Sequence, residues 1–215
     1  MRVLERVDTP RRELVLRGDG EHCEVIGDGT FLMDTRDGRS ERLLVTAALE
    51  GATAGLRVLV GGLGVGFTLV AALADPRVTA VTVVEVLPDI VRWHGPGQPL
   101  ARWSAGALAD PRTCVVVADL LGWLRTTTQR FDAICLDTDN GPDWLAHNDN
   151  AGLWDDAGTA LLVSHLSQGG VLAVWGARAV PAYTHLLRRH VRDVEVREVE
   201  VARGEPDAVW VARTA

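Results

Sequence analysis

Four short stretches of the chain carry residues that could do chemistry, and each follows an apolar run. Gly61-Gly62-Leu63-Gly64-Val65-Gly66 comes after Arg57–Val60 and places Gly62, Gly64 and Gly66 as GxGxG. Glycine lets a backbone turn sharply and approach a ligand with no Cβ in the way. A helix that starts there also offers unpaired N–H groups. Such a turn can equally serve packing alone. Glu85 closes the run VTAVTVVE. A carboxylate at this place can accept two hydrogen bonds from ribose hydroxyls, and its separation from Gly62 is near the ~20 residues of such a unit. Asp119, in VVVADLLGWL, could accept a hydrogen bond from the exocyclic amine of adenine, with the backbone from Leu120 onward completing the base pocket. Asp119 is also a candidate helix N-cap. Asp137 and Asp139 stand two residues apart in DTDNGP. Neighbouring carboxylates are costly unless paired. They suit an ammonium group, or removal of a proton from an attacking amine, although a polar loop that caps helices would look the same.

These positions make sense only if a particular set of elements holds them. Glu13–Arg17, His22–Ile26 and Thr30–Asp34 read as short strands, separated by Gly18-Asp19-Gly20 and Gly27-Asp28-Gly29. Asp-Gly between apolar runs is a hairpin signal. Ser40–Leu49 reads as a helix with Ser40 as its N-cap. From Arg57 the pattern alternates: strands over Arg57–Val60, Ala80–Val84, Thr113–Val117, Phe131–Leu136 and Gly170–Trp175, with helices over Thr68–Ala74, Pro88–His94, Asp156–Leu166 and Pro181–His190, and a short one after Asp119. Two strands, Asp193–Val201 and Ala208–Ala212, close the chain around Gly204-Glu205-Pro206.

Strands apolar on both faces that alternate with helices imply a parallel sheet covered on both sides. The terminal strand–turn–strand implies an antiparallel edge. The expected fold is therefore α/β, a Rossmann-like sheet of the class I methyltransferase type, mostly parallel with an antiparallel C-terminal hairpin. A small β-hairpin and helix subdomain over 1–50 would precede the Rossmann-like domain over 51–215. Ligands of such sheets bind beyond the carboxyl ends of the strands. The four post-strand positions together point to S-adenosylmethionine or a close relative.

The bulk properties narrow the classes. The chain has 215 residues and a net charge of −7. That balance argues against nucleic acid as a partner, since phosphate binding needs a basic face, and is compatible with a cationic substrate. No apolar run approaches the ~18 residues of a membrane span. MRVLERVDTPRREL has no signal-peptide core, so the expected location is the cytoplasm, with no membrane partner. Cys23, Cys114 and Cys135 are far apart, no Cys/His cluster suggests a metal, and all three read as small core residues. Trp93, Trp103, Trp144 and Trp154 flank the expected mouth of the site and could wall an apolar acceptor or fill gaps in the core. His94 and His147 read as surface histidines in nearby loops.

With these residues in view, the chain resembles the spermidine synthases, the polyamine aminopropyltransferases. The likeness runs through the opening hairpins, Arg57–Leu69, the Glu85 strand, Asp110-Pro111-Arg112 leading into Val115–Asp119, Phe131–Asp137, and Gly169-Gly170-Val171-Leu172. It implies a decarboxylated S-adenosylmethionine donor, an amine acceptor, an aspartate base after the fourth strand and a homodimer. By that resemblance Glu85 would hold the ribose, Asp119 the adenine, and Asp137 would deprotonate the amine. The chain also departs from the family. The aspartate of GGGDGG is Val65 here, and D-x-x-D-P-x-G-P is shortened to Asp137-Thr138-Asp139-Asn140-Gly141-Pro142. Tyr-His-Glu at the first helix becomes Arg39-Ser40-Glu41, the tyrosine after the fourth strand becomes Trp154, and the first glutamine is Gln98. The adenosyl half is kept and the polyamine half rewritten.

The leading expectation is transfer of an aminopropyl or related alkyl group to an amine, with Asp137 as base, assisted by Asp139. Glu41, Asp139 and Trp154 would then hold the acceptor. A small-molecule methyltransferase using intact S-adenosylmethionine is the first alternative. Val65 favours it, because a carboxylate there would repel that of the methionine tail. A non-catalytic nucleoside-binding protein is the second.

Overall fold

The structure is a computed structural model, and it describes residues 1–138, 141, 148–202 and 204–214. Four strands open the chain: β1 (Arg2–Asp8), β2 (Glu13–Gly18), β3 (Cys23–Gly27) and β4 (Thr30–Asp34). They form an antiparallel sheet in that order. The β3–β4 turn is Asp28-Gly29, with φ of 49° and 77°. A type I′ turn needs positive φ at both central residues, and this dipeptide meets the demand. Strand β1 was not apparent in the sequence, because RVLERVD scatters charge along an edge strand that is largely exposed.

Helix α1 (Arg39–Ala48) follows. It buries Leu44, Val45, Ala47 and Ala48 in the same cluster as Val58, Val60, Ala173, Val209 and Val211 of the large sheet. The helix is thus packed on the second sheet rather than the first. The chain continues through β5 (Leu56–Gly61), α2 (Phe67–Ala74), β6 (Val78–Glu85), α3 (Pro88–Trp93), α4 (Ala101–Ser104), β7 (Thr113–Val117), α5 (Leu120–Leu124) and β8 (Phe131–Leu136). It ends with α6 (Asp156–Ser164), β9 (Leu166–Gly176), α7 (Pro181–Leu187), β10 (Asp193–Val199) and β11 (Asp207–Arg213).

The large sheet has the order β10-β11-β9-β8-β5-β6-β7. Strands β5 to β9 run parallel, and β11 lies antiparallel between β9 and β10. This is the mostly parallel sheet with an antiparallel C-terminal edge that the alternating pattern implied. Val58, Leu59 and Val60 of β5 are fully buried, as a central strand covered by helices on both faces requires. The edge strand β7 is different. Cys114 and Val117 are exposed there. The reading of all three cysteines as core residues therefore fails for Cys114, since an apolar strand at a sheet edge has neighbours on one side only.

Candidate active site at the carboxyl ends of the parallel strands

Strand order reverses around β5, with β6 on one side and β8 on the other. The crevice of such a sheet opens at that point, between the glycine loop after β5 and the end of β8. The loop's glycines have different reasons. Gly62 has φ +89°, and a Cβ there would lie 2.1 Å from the Asp137 carbonyl oxygen. Glycine at this position is what lets the ends of β5 and β8 touch. Gly66 has φ +94°, and a Cβ would meet Ser104 Cβ at 3.2 Å and His94 Cε1 at 3.3 Å. Gly64 has φ +53°, and among the described residues its Cβ would meet only Met33 Sδ, at 3.7 Å. Of the three, Gly64 is the one with bare backbone on an open side.

Glu85, at the end of β6, is 6% exposed. The N–H of Leu63 donates to its Oε2 and that of Leu87 to its Oε1, both at 2.8 Å. Burial pushes its carboxyl above the usual range, and the nearby backbone N–H groups of Leu63, Leu87, Val86 and Gly64 pull it back. This carboxylate ties the glycine loop to β6. Asp119 is the N-cap of α5, its Oδ1 accepting from the Gly122 N–H at 2.7 Å. Leu120 is buried, and its Cδ2 would be 2.8 Å from a Cβ at Gly61. So the glycine loop, Glu85, Asp119 and Leu120 come to one crevice.

On the β8 side stands Asp137. The hydroxyl of Thr68, one residue into α2, donates to its Oδ2 at 2.7 Å. Burial, together with the charges of Glu85 and Asp207, pushes the Asp137 carboxyl up to about 6. Glu41 of α1 lies near enough to feel Asp137, and burial and that charge push its carboxyl up to about 8. The Ser40 hydroxyl is 3.0 Å from Glu41 Oε2 and 2.8 Å from Asp207 Oδ2. A hydroxyl has one hydrogen to give. Ser40 can therefore donate to only one of the two carboxylates at a time. The Trp175 indole N–H also points at Asp207 Oδ2, at 3.4 Å. Burial raises Asp207 as well. Among the described residues, no ion pair involves Asp137, Glu41 or Asp207, and no group of His, Cys, Asp and Glu is placed to hold a metal ion.

Sequence reasoning singled out Glu41 and Asp137, took Ser40 for an N-cap although the N-cap of α1 is Gly38, and missed Thr68, Trp175 and Asp207. Thr68 could have been noticed as the hydroxyl at the start of the helix after the glycine loop. The others carry no local signal. Asp139, with Trp144 and His147, lies outside the described residues. Trp154 is 7% exposed, its ring edge-on to Tyr183 at 5.6 Å between centroids, within the hydrophobic cluster under α6 and α7. It fills the core instead of walling a mouth, because α6 and α7 close over it. Trp93 is likewise fully buried, and Trp103 is half-buried beneath Arg102. Val65 is 4% exposed and turned into the core. His94 is not a surface residue: it is 5% exposed, with Nε2 3.0 Å from the Gly64 carbonyl oxygen.

No family model matches the chain. A polyamine aminopropyltransferase of Ralstonia nicotianae is 31% identical over 136 residues, which is 63% of this chain and 27% of that protein. Over that stretch the chain is similar to the polyamine aminopropyltransferases. Solved structures show the likeness of the fold. The crystal structure of spermidine synthase from Thermotoga maritima superposes with a TM-score of 0.79 at 17% identity, covering 100% of this chain and 73% of that one. A spermidine synthase in complex with the transition state analogue AdoDATO superposes with a TM-score of 0.78 at 18% identity, over 100% and 73% of the two chains. The chain matches this curated relative over little more than a quarter of that protein's length.

The buried carboxylates give stability a pH dependence whose sign can be worked out. Glu41 is raised from an ordinary 4.5 to about 8 in the folded chain. Its contribution is fully present below about 4.5 and is lost as pH rises through about 8, because the folded state must then hold an unpaired charge. The ligand-free protein should show a Tm that falls by about 4 °C or more between pH 6 and 9, the shift that ~1–2 kcal/mol produces at this size. Glu41→Gln should remove most of that fall. Coincident wild-type and Glu41→Gln curves in differential scanning fluorimetry would show that Glu41 does not ionise late.

Proposed function

We propose that the chain is a transferase that moves an aminopropyl or related alkyl group from decarboxylated S-adenosylmethionine, or a relative, to an amine. The observation that carries this reading is the gathering of Asp137, Glu41 and Asp207 beside the crevice, with no ion-pair partner among the described residues. Such a group is costly empty and is satisfied by a cationic amine. Glu85, Asp119, Leu120 and the bare backbone at Gly64 fit the adenosyl part of the donor on the other side.

In this mechanism Asp137 takes a proton from the acceptor ammonium, which frees its nitrogen lone pair. The lone pair attacks the carbon next to the sulfonium. The C–N bond forms as the C–S bond breaks, and the bonding pair returns to sulfur, leaving a neutral thioether. A carboxyl held at about 6 is a stronger base than an ordinary one and is still ionised at neutral pH. Glu41 and Asp207, with Asp139, would hold the acceptor's positive charge. The same reading takes the enzyme as cytoplasmic, and as homodimeric as the resemblance implies. Among the described residues no helix is long and apolar enough to cross a membrane.

A methyltransferase using intact S-adenosylmethionine is favoured by one observation. Val65 is buried where the family has an aspartate, so no loop carboxylate opposes the methionine carboxylate. Calorimetric titration separates the readings. Methylthioadenosine and decarboxylated S-adenosylmethionine should bind, and intact S-adenosylmethionine at least ~10-fold more weakly, a difference of ~1.4 kcal/mol. Tighter binding of the intact form would favour methyl transfer. Binding of none of them would overturn the adenosyl reading.

A further inference from the structure

We infer that His94 is a positioning residue for the adenosyl donor, acting through the carbonyl of Gly64; this rests on the reading of the crevice as an adenosyl site. His94 ends α3, and its backbone N–H donates to the Val91 carbonyl. The ring lies behind the glycine loop, with Nε2 3.0 Å from the Gly64 oxygen and Cε1 3.3 Å from the place a Gly66 Cβ would occupy. A carbonyl only accepts, so Nε2 carries the hydrogen and donates. Burial holds the imidazole below its usual pKa, opposed by the backbone of Gly64 and Leu100.

The loop's other anchors leave this peptide to His94. Gly62 N–H donates to Val84, Leu63 N–H to Glu85, and Gly66 N–H back to Leu63. In a trans peptide the C=O of Gly64 and the N–H of Val65 point opposite ways. With the carbonyl held down onto His94, the Val65 N–H is turned outward, toward the open side of Gly64. Among the described residues no acceptor takes that N–H. His94 thus presents an unused backbone donor to the crevice and prevents the 64–65 peptide from flipping.

The test uses methylthioadenosine as the probe. His94→Phe keeps a ring and removes the donor; His94→Gln restores an N–H near the place of Nε2. Calorimetry should show His94→Phe binding at least ~10-fold more weakly than wild type, with His94→Gln within ~3-fold of it. A structural role alone would lower the Tm of both variants and leave the dissociation constant of the folded protein unchanged. In the wild type, the Val65 amide should gain hydrogen-exchange protection on adding methylthioadenosine, and this measurement stands even if neither variant folds. Equal affinity of wild type and His94→Phe, or a Val65 amide whose protection does not change although the ligand binds, overturns the inference and leaves the adenosyl site intact. Failure of the wild type to bind overturns both.

Discussion

Asp137→Asn should slow turnover by at least ~10²-fold, within the range typical of lost general-base catalysis. An amine bears a proton at neutral pH and cannot attack until it loses it. Asp137 is placed to take that proton, and its raised affinity for protons, about 6, comes from burial among like charges. Asparagine keeps the shape, and its amide oxygen can still accept from the Thr68 hydroxyl now 2.7 Å from Oδ2. The fold should therefore survive, and donor affinity should change by less than ~1.4 kcal/mol, a factor of ten. Asp207→Asn makes the contrast: the acceptor KM should rise while kcat changes far less, because Asp207 holds charge rather than moving a proton. The assay follows release of methylthioadenosine or S-adenosylhomocysteine with a panel of amines. Wild-type turnover by Asp137→Asn would exclude Asp137 as the base. Release of neither product by the wild-type protein, from any donor, would favour a passive nucleoside binder.

Glu85→Ala should both unlock the glycine loop and weaken adenosyl binding. The carboxylate accepts from the N–H groups of Leu63 and Leu87 in a site that is 6% exposed. Removing it orphans two buried donors, at ~1–3 kcal/mol each. A loss of ~2–6 kcal/mol on that basis is a large share of the ~5–15 kcal/mol that holds a typical domain. Glu85→Gln is no rescue, since one amide oxygen cannot replace two acceptors and its NH₂ would face an N–H. The expected result is a clear drop in denaturation midpoint for both variants. In whatever fraction stays folded, methylthioadenosine should bind ~1.5–3 kcal/mol more weakly, the range for charge-assisted hydrogen bonds. An unchanged midpoint would show that the loop does not depend on Glu85, and unchanged affinity would remove it from the ribose.

Both predictions combine something legible along the chain with something that is not. Glu85 and Asp137 could be picked out because each follows an apolar run and such runs end at the ligand side of a parallel sheet. That Glu85 is spent on the loop's backbone could not, since it depends on the path of Leu63 and Gly64 in space. His94 shows the same limit. A histidine after a short helix, next to Gly95 and Pro96, looks like a loop residue. It is buried because Gly66 has no side chain and leaves room for the ring. Trp154 was misjudged for a related reason: indole suits a pocket wall and a core gap equally, and only the closure of α6 and α7 over it decides.

The sequence by itself determined the alternation of strands and helices, the Asp28-Gly29 hairpin, the glycine loop and the two strand-end carboxylates. Each of these rests on periodicity or on turn chemistry within a few residues. The tertiary structure alone decided the rest of the charged edge. Ser40 and Asp207 are 167 positions apart. They meet because β11 inserts antiparallel between β10 and β9, which brings its first residue to the carboxyl ends of the parallel strands, and because α1 packs on that sheet and sets Ser40 and Glu41 beside it. The charges these side chains carry also depend on the assembly, since burial and like-charge neighbours shift a carboxyl only once the chain has folded.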